Sequence, residues 1–554
     1  MSIRGICIGV TDASVRRVHT RAMRLLIAVM LLAAPLHAQL RETVEVNVLE
    51  LDVAVVDRAG KPVDGLTQAD FDVQIGGKPK AVTNFYAVKR GAILDVPGEP
   101  PARAETAAPE TTIPTTVVLF VDDMHLGIRS KLRAIEALKE YVRANVGAST
   151  SAMIARWNGS LDVRTRLTDR PGPLLAELDR MAKEPGLLTE SDRRLMLREI
   201  SETFNGLRDS GRSSRVEATF HQMVNYADQE AHMVDKTIEG LGEMIRVASA
   251  FEGRKSLLYV SEGLPLSAAA EVFDYWDRAS RAIGTEAVPN LQRSGQEIFK
   301  TVNPARYDRS RQYERVIRTA QASNVAFYGF DAGGARGFVG RGVEEAGGGV
   351  AQLDSMLARS NTHDGVRRVA NETGGRFIID ENDPGKALSV LSEQFATYYS
   401  LGVRAPSSTR LMKVSVKVKS RAGLRVMTSR HRRPLSRQEK LERSVRSHLY
   451  TPLYTPRAEN PLGAEVSLGT ATPVGSECVV PMRLSVARER ADLYFALLDE
   501  RQQESDVRST TIAAAHSMSL GVKAGRYVLS LALADPASGE TSYLQGEIDA
   551  RGCR

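Results

Sequence analysis

Two adjacent carboxylates end an apolar run in the stretch TTVVLFVDDMHLGIRS, residues 115–130. A buried strand that ends in Asp122 and Asp123 and passes at once into a helix commonly holds a metal, a nucleotide or no ligand. A second apolar run, RKSLLYVSEGLP, ends in Glu262, and a third, NVAFYGFDAGG, contains Asp331 at its end. Carboxylate oxygens are the ligands that hard divalent cations prefer. These strand ends are therefore the candidate chemical site.

Strand and helix patterns alternate from residue 115 onward, and this rhythm predicts a parallel sheet covered by helices on both faces. Six apolar runs have strand character. The helix after the first run has apolar residues such as Leu132 and Leu138 at helical spacing. The fold class predicted for residues 115–397 is α/β and doubly wound, with helical insertions at about 187–225 and 266–305.

The segments on either side of this domain have the alternating pattern of β-strands. Residues 39–90 and residues 398–430 each have one apolar face but too few strands to bury it alone. We therefore expect the two sets to pair into one β-sandwich, with the α/β domain inserted between them. Residues 91–114 are predicted to be a Pro/Ala-rich linker. Residues 431–460 are predicted to be a helix and linker, and residues 461–554 a β-sandwich-like domain.

The first 38 residues have the features of a secretory signal peptide. Arginines precede the apolar run LLIAVMLLAAPL, and LHA before Gln39 predicts cleavage after Ala38. The run is shorter than the roughly 20 residues that a membrane span needs. Met23 is an alternative to Met1 as the start. We expect an exported chain, located in the periplasm, in the cell envelope or outside the cell, with no membrane span after signal cleavage.

Charge and cysteine content fit this location. The formal net charge is +7, but five Arg and one Asp lie in residues 1–38, so the rest of the chain is nearly balanced. No Lys/Arg block is interleaved with aromatic residues, and a nucleic-acid partner is not expected. Cys478 and Cys553 lie near the two ends of the last β region, and we expect them to form a disulfide in an exported chain.

A family resemblance follows from several stretches taken together. VVLFVDD follows a β segment containing VVDRAGKPVDGLTQADFDVQIGGKPKAVTNF, and GRKSLLYVSEGLP, ANETGGRFIIDENDPGKAL and YYSLGVRAP come later. Together they resemble the VWFA-related proteins of Acidobacteria-type bacteria, a branch of the von Willebrand factor A superfamily, over roughly residues 41–430. The resemblance implies an exported A-domain with an appended β element and, for most of that family, no known reaction.

The resemblance also gives the candidate site an expected geometry. In a doubly wound sheet of order 3-2-1-4-5-6, strands one and four are adjacent and their carboxyl ends frame a crevice. A-domains that bind a divalent cation there use Asp-x-Ser-x-Ser, a Thr and a later Asp, the metal-ion-dependent adhesion site. Here Met124 and Leu126, or His125 and Gly127, stand where the serines belong. Glu262 replaces the later Asp, so the site is degenerate.

Two interpretations of these carboxylates remain open. In one, Asp122 or Asp123 with Glu262 and water holds Mg²⁺ or another divalent cation. In the other, which we favour, the carboxylates cap helix ends or stay solvated, and binding proceeds without metal. In either case the rim of the crevice is expected to contain three further residues, His125, Ser261 and Asp331.

Other chemistries lack their motifs. YVSEG has Tyr259 where a hydrolase elbow needs glycine. DAGGARGFVGRG has no following Lys for phosphate binding, and no H-E-x-x-H occurs. We therefore expect a non-enzymatic protein-binding or adhesion module of the bacterial envelope, with a protein partner and no assigned cofactor. The alternatives are a metal-dependent enzyme that uses the strand-end carboxylates and a purely structural envelope component.

Overall fold

The structure is a computed structural model. The predicted signal peptide, the choice of start residue, most of the linker 91–114 and parts of both helical insertions lie outside the residues it describes. The described residues are 47–94, 113–184, 189–210, 215–251, 253–282, 304–334, 350–379, 383–406, 408, 410–419, 423–450, 460–500 and 504–553.

Within these ranges the chain is a mixed α/β protein with several sheets and a β-rich C-terminal region. A central sheet has six strands, numbered here along the chain and arranged in space as 6-5-4-1-2-3, so that the first and fourth are neighbours. Neighbouring strands are parallel except the last pair, 2 and 3. Only three residues connect that pair, too few for a parallel crossover. From the first to the sixth, the central strands are Thr115–Asp122, Thr150–Trp157, Leu161–Val163, Arg254–Ser261, Val325–Asp331 and Phe377–Ile378.

Helices cover both faces of the central sheet. Alternate side chains of the first central strand point to opposite faces, because the side-chain period of a strand is two. Val118 and Phe120 join one core, whereas Leu119 and Val121 join the other. The α-helices are Ile128–Asn145, Pro171–Met181, Thr189–Ser210, Val216–Ala250, Ala270–Ala282, Ser310–Ser323, Val350–Thr373, Pro384–Ala396 and Arg437–Tyr450, and the 3₁₀ turns are Gln68–Asp70, Asp123–His125 and Pro304–Tyr307.

The helical insertions have a small core of their own. Helix Thr189–Ser210, the first part of helix Val216–Ala250 and helix Ala270–Ala282 pack around the fully buried Trp276. Phe204 contacts its ring edge-on, with ring centroids 4.9 Å apart. The end of the first predicted insertion at residue 225 does not coincide with a break, because one helix of 35 residues continues from the insertion into the central domain.

A β-sandwich contains strands from both sides of the central domain. Strand Asn47–Val56 lies between Thr397–Ala405 and Arg425–Met427 and is antiparallel to both. Leu51 and Val53 point into the sandwich core, while Ala54 joins a core of the central domain. One sheet, in spatial order, is Arg425–Met427, Asn47–Val56, Thr397–Ala405, Val82–Lys89 and Ala92–Leu94, and the other is His431–Arg432, Met412–Val418, Phe71–Ile75 and Lys78–Lys80.

The C-terminal region is one hydrogen-bonded antiparallel sheet, most of whose strands share an apolar core. A strand of 23 residues, Glu477–Asp499, pairs with Arg508–Val522 along both of its halves. Glu465–Leu468 pairs with the first half and Arg526–Ala534 with the second. Helix Arg437–Tyr450 connects this sheet to the central domain, because its Val445 and Leu449 share a core with both. The remaining strands are Glu465–Leu468, Thr472–Val474, Arg508–Val522, Arg526–Ala534 and Thr541–Asp549.

Candidate functional site

Asp122, the last residue of the first central strand, is fully buried and all its described contacts are internal. Its Oδ1 accepts a hydrogen bond from the Met124 amide at 3.0 Å, which caps the following 3₁₀ turn. Its Oδ2 is 2.8 Å from Nδ1 of His125 and also accepts a hydrogen bond from the hydroxyl of Tyr259. Burial, followed by the Asp122 charge, raises the pKa of Tyr259 well above its usual value, so this phenol remains a donor. Asp122 is therefore a structural acceptor.

Asp123 points into a different environment, an internal network of charges. Its Oδ2 is 3.0 Å from Nζ of Lys131, which lies on the next helix. The same oxygen is 3.8 Å from Nη1 of Arg156. Its Oδ1 is buried with no hydrogen-bond partner among the described residues. Burial raises the pKa of Asp123, and Lys131 opposes that rise. The carboxylate is held by cations of the protein itself.

The network extends away from Asp123. Arg156 contacts Glu184 and lies 2.9 Å from Asp162. Arg164 forms ion pairs with the same two acids, at 2.7 Å from Glu184 and 3.1 Å from Asp162. Because positive and negative groups alternate, each charge faces an opposite one. Sequence reasoning did not identify this network. The one available signal was Lys131, a lysine in the first turn of the helix that follows Asp123.

Glu262 follows the fourth central strand and reaches across the crevice to the first helix. Its Oε1 accepts a hydrogen bond from the Gly127 amide at 3.2 Å, and its own amide donates to the carbonyl of His125 at 2.9 Å. Gly127 is the N-cap residue of helix Ile128–Asn145. A carboxylate at a helix amino terminus is stabilised by the helix dipole. Glu262 therefore links the two strand ends and caps the helix.

The predicted cation site does not assemble from these residues. Asp122, Asp123 and Glu262 face His125, Lys131 and Gly127 respectively. Among the described residues no group of three or more His, Cys, Asp or Glu side chains could hold a metal ion. In the described part of the chain each of the three carboxylates already has an internal partner, and the three do not converge on one point. Asp122 and Glu262 instead act as caps.

The other rim residues are also held internally. Ser261 is fully buried, and its Oγ accepts a hydrogen bond from the Gly263 amide at 3.0 Å. Asp331 ends the fifth central strand, where Oδ1 accepts from the Gly333 amide at 2.8 Å and Oδ2 lies 3.2 Å from Nε2 of the buried His363. Both residues therefore fix the turns that follow their strands.

His125 lies at the crevice with 13% of its side chain exposed. Burial opposes its charged form, but the Asp122 carboxylate outweighs burial and raises the pKa of His125. Glu230, from helix Val216–Ala250, adds to this effect. Burial, and then Glu271, raises the pKa of Glu230 itself to about 7. No sequence signal placed Glu230 near the crevice, because it comes from a long helix whose position depends on tertiary packing.

Glu230 also holds an unusual backbone conformation. Its Oε2 accepts a hydrogen bond from the amide of Ala269 at 2.7 Å. Ala269 has φ of 53°, a left-handed value that residues other than glycine rarely adopt. The carboxylate therefore stabilises the strained turn that starts helix Ala270–Ala282.

The predicted disulfide is not formed in the structure, where Cys478 and Cys553 are both free and buried. Sγ of Cys478 points to the carbonyl oxygens of Ala550, at 3.7 Å, and Cys553, at 3.8 Å. A hydrogen bond with the Cys553 thiol, together with burial, raises the pKa of Cys478 to about 11. The two cysteines are thus neighbours, but in the thiol form.

Comparisons with known proteins add little. No family model matches this chain, and no curated protein matches it significantly. One solved structure that aligns with it is that of three N-terminal domains of the type V pili tip protein Mfa5 from Porphyromonas gingivalis. The identity is 8%, the alignment covers 91% of this chain and 77% of that chain, and the TM-score is 0.23. A likeness at that level carries no argument. In the described parts of the chain, no helix combines the length and the apolar character needed to cross a membrane.

Proposed function

We propose that this chain is an exported, non-enzymatic protein-binding module of the bacterial envelope, built on a von Willebrand factor A-type domain. The strand order of the central sheet and its insertion between sandwich strands support the A-domain assignment. The observation that carries the binding function is an apolar rim beside the crevice, formed by Ile128 and Leu132.

This rim lies at the start of the first helix of the central domain. The side chains of Ile128 and Leu132 are 49% and 45% exposed. Residues four apart lie on the same side of a helix, so the two form one apolar surface. Gly127, which Glu262 contacts, immediately precedes them. Apolar surface next to hydrogen-bonding groups is a common composition of protein-binding sites.

The internal pairing of the carboxylates supports binding without metal. Asp122 contacts His125 and Asp123 contacts Lys131, so each carboxylate is already engaged inside the protein. The partner is therefore expected to dock through apolar contacts and backbone hydrogen bonds at the rim.

Site-specific photo-crosslinking in intact cells tests the proposed surface. A photoreactive amino acid at Leu132 is expected to give a discrete crosslinked product with another protein. The control is the same amino acid at Arg143, which is exposed near the other end of the same helix. Crosslinks of equal pattern at both positions, or none at Leu132, would exclude the rim as the binding surface and favour a structural role.

Export is tested separately. Replacing two residues between Leu25 and Leu36 with Asp is expected to abolish translocation, because a charged run no longer resembles a signal peptide. Cell fractionation measures the result. Normal export of that variant contradicts the location proposed.

A further inference from the structure

A cavity lined mainly by polar residues lies at the amino-terminal ends of the central strands, whereas the crevice lies at their carboxyl ends. It is bounded by the amino-terminal ends of the fourth and fifth central strands, by the sandwich strand Asn47–Val56 and by the segment around Arg432. The inner part has room for a group of about one or two waters in size. The cavity therefore suits one small polar group that enters from solvent.

Arg254 is the central feature of this cavity. It is only 4% exposed, and its Nε and Nη1 have no hydrogen-bond partner among the described residues. The guanidinium is otherwise held by the ring of Tyr398, with Cζ 4.5 Å from the ring centroid, and by a long 3.4 Å contact from Nη2 to the hydroxyl of Tyr328. Buried charged donors without acceptors are costly in proteins. An acceptor in the cavity would remove that cost.

The charges around the cavity favour an anion as this acceptor. Arg254, Lys255 and Arg432 line it, against a single acidic residue, Asp52. The Asp52 carboxylate is engaged by the Asn324 side-chain amide at 3.3 Å. Nη2 of Arg432 donates to the carbonyl of Glu50 at 2.8 Å, and burial lowers the pKa of Arg432 to about 10, so it stays charged at neutral pH. The lining has an excess of positive charge.

We propose that this cavity binds a small anion, either a halide or the carboxylate group of an organic acid, through Arg254. Both have a compact negative charge that matches the inner part of the cavity, and both accept hydrogen bonds from guanidinium groups. Arg254 belongs to the central sheet, whereas Asp52 and Arg432 belong to the sandwich. The bound anion links the two parts of the protein and stabilises their junction.

Thermal unfolding of the full chain at matched ionic strength tests the site. Chloride and acetate are titrated separately against methanesulfonate, an anion that has no carboxylate and is larger than the space in the inner cavity. A ligand that binds only the folded state raises Tm with concentration. The wild-type protein is expected to gain roughly 3 °C at a concentration a hundredfold above Kd. The Arg254→Met variant is expected to show no such gain, whatever its own Tm.

The ³⁵Cl NMR line width is a second measurement that does not depend on stability. The wild-type protein is expected to broaden the chloride line more than Arg254→Met does, and acetate is expected to reverse the broadening by competition. Broadening that acetate does not reverse identifies the ligand as a halide. Arg281→Gln, which removes an exposed arginine, is the matched control and is expected to behave as wild type. Equal Tm gains or equal broadening in wild type and Arg254→Met, or a response to phosphate alone, overturns the proposal.

Discussion

At the scale of single residues, the crevice is organised by buried charges that satisfy one another. Asp123 and Lys131 form an ion pair that is nearly inaccessible to solvent, and Asp123 Oδ1 remains without a partner. A buried pair contributes little compared with an apolar pair of the same size, but breaking it leaves an uncompensated charge. Removing Lys131 should therefore lower the free energy of unfolding by more than the intact pair contributes to it.

Replacing Lys131 with Met is expected to lower the free energy of unfolding by about 3–5 kcal/mol at neutral pH. Burial raises the pKa of Asp123 in the folded protein above its ordinary value of 3.8. The folded state therefore binds the Asp123 proton more tightly than the unfolded state does. The stability gained in this way is fully present below pH 3.8 and is lost as the pH rises through the folded-state pKa. Without Lys131 that pKa rises further. The loss should therefore be smaller at pH 5 than at pH 8, as measured by urea unfolding.

Two further variants control this prediction. Lys236→Met removes an exposed pair with Glu239 and should cost less than about 1 kcal/mol. Adding Asp123→Asn to Lys131→Met should restore part of the stability, since no buried charge is then left alone. An equal loss in the single and double variants would show that the cost comes from packing of the lysine stem.

The His125–Asp122 contact should make stability depend on pH. The pKa of His125 is raised above 6.5, so the stabilisation is fully present below pH 6.5 and is lost as pH rises through the folded-state pKa. His125→Gln should therefore cost about 1–3 kcal/mol at pH 6 and less at pH 8.5, as measured by urea unfolding. His221→Gln, at an exposed position, is expected to show no such difference. A loss independent of pH would mean that His125 is neutral in the folded protein.

Sequence could predict where these carboxylates lie but not what they contact. Apolar runs that end in Asp122 and Glu262 placed both residues at adjacent strand ends, and the structure has them there. Their contacts could not be predicted, because partners such as Lys131 and Tyr259 are fixed by helix rotation and strand pairing. Such long-range geometry leaves no local pattern in the sequence.

At the scale of secondary-structure elements, the sixth central strand can pair at the edge of the sheet only because the turn before it passes very close to the fifth strand. Gly375 follows helix Val350–Thr373, and a Cβ there would lie 1.8 Å from the carbonyl oxygen of Phe327. No side chain fits at that distance. The turn must therefore contain glycine for the sixth central strand to reach the fifth.

Gly375→Ala is expected to lower the free energy of unfolding by about 3 kcal/mol or more, because the fifth strand must move. Gly172→Ala is the matched control, since nothing lies within 4 Å of a Cβ in its helix. That change should be neutral or stabilise the protein by up to about 1 kcal/mol. Thermal and urea unfolding compare the two, and similar effects of both substitutions would contradict the steric explanation.

The strand Asn47–Val56 shows why element boundaries are harder to predict than element types. In the sequence, the alternating apolar residues change phase between Val48 and Leu49, a pattern that predicts a β-bulge. The register with Thr397–Ala405 is continuous from Asn47 to Val53, and the strand then pairs with Arg425–Met427. Val55 faces the sandwich core while Val56 faces the central domain. Residues 44 and 46, which precede the phase change, lie outside the described part of the chain, so the bulge stays a prediction there.

At the scale of the whole molecule, the central domain leaves and rejoins the sandwich at neighbouring points. The amide of Arg90 donates to the carbonyl of Ala396 at 2.7 Å, and Lys89 pairs with Thr397. The hydroxyl of Tyr399 contacts the carbonyl of Val63 at 2.7 Å. The first sandwich strands therefore depend on residues beyond the central domain.

A fragment of residues 39–92 is expected to be unfolded alone, because much of its core lies after residue 396. Joining residues 39–90 to residues 397–433 through a short Gly/Ser linker should give a cooperatively melting domain, since the two ends are adjacent. Circular dichroism and limited proteolysis distinguish the two products. Cooperative melting and protease resistance of the 39–92 fragment would contradict the shared sandwich.

The pairing of the first sandwich strands with residues 397–405 cannot form until those residues have been synthesised. Leu66 and Tyr399, joined by a hydrogen bond, lie 333 residues apart in the chain. At about 5–20 residues per second, the second is made roughly 15–70 s after the first. The apolar face of the early strands has no partner during that interval, and exposed strand edges aggregate. The nascent amino-terminal segment therefore needs protection from aggregation until Tyr399 and the strand around it have been translated.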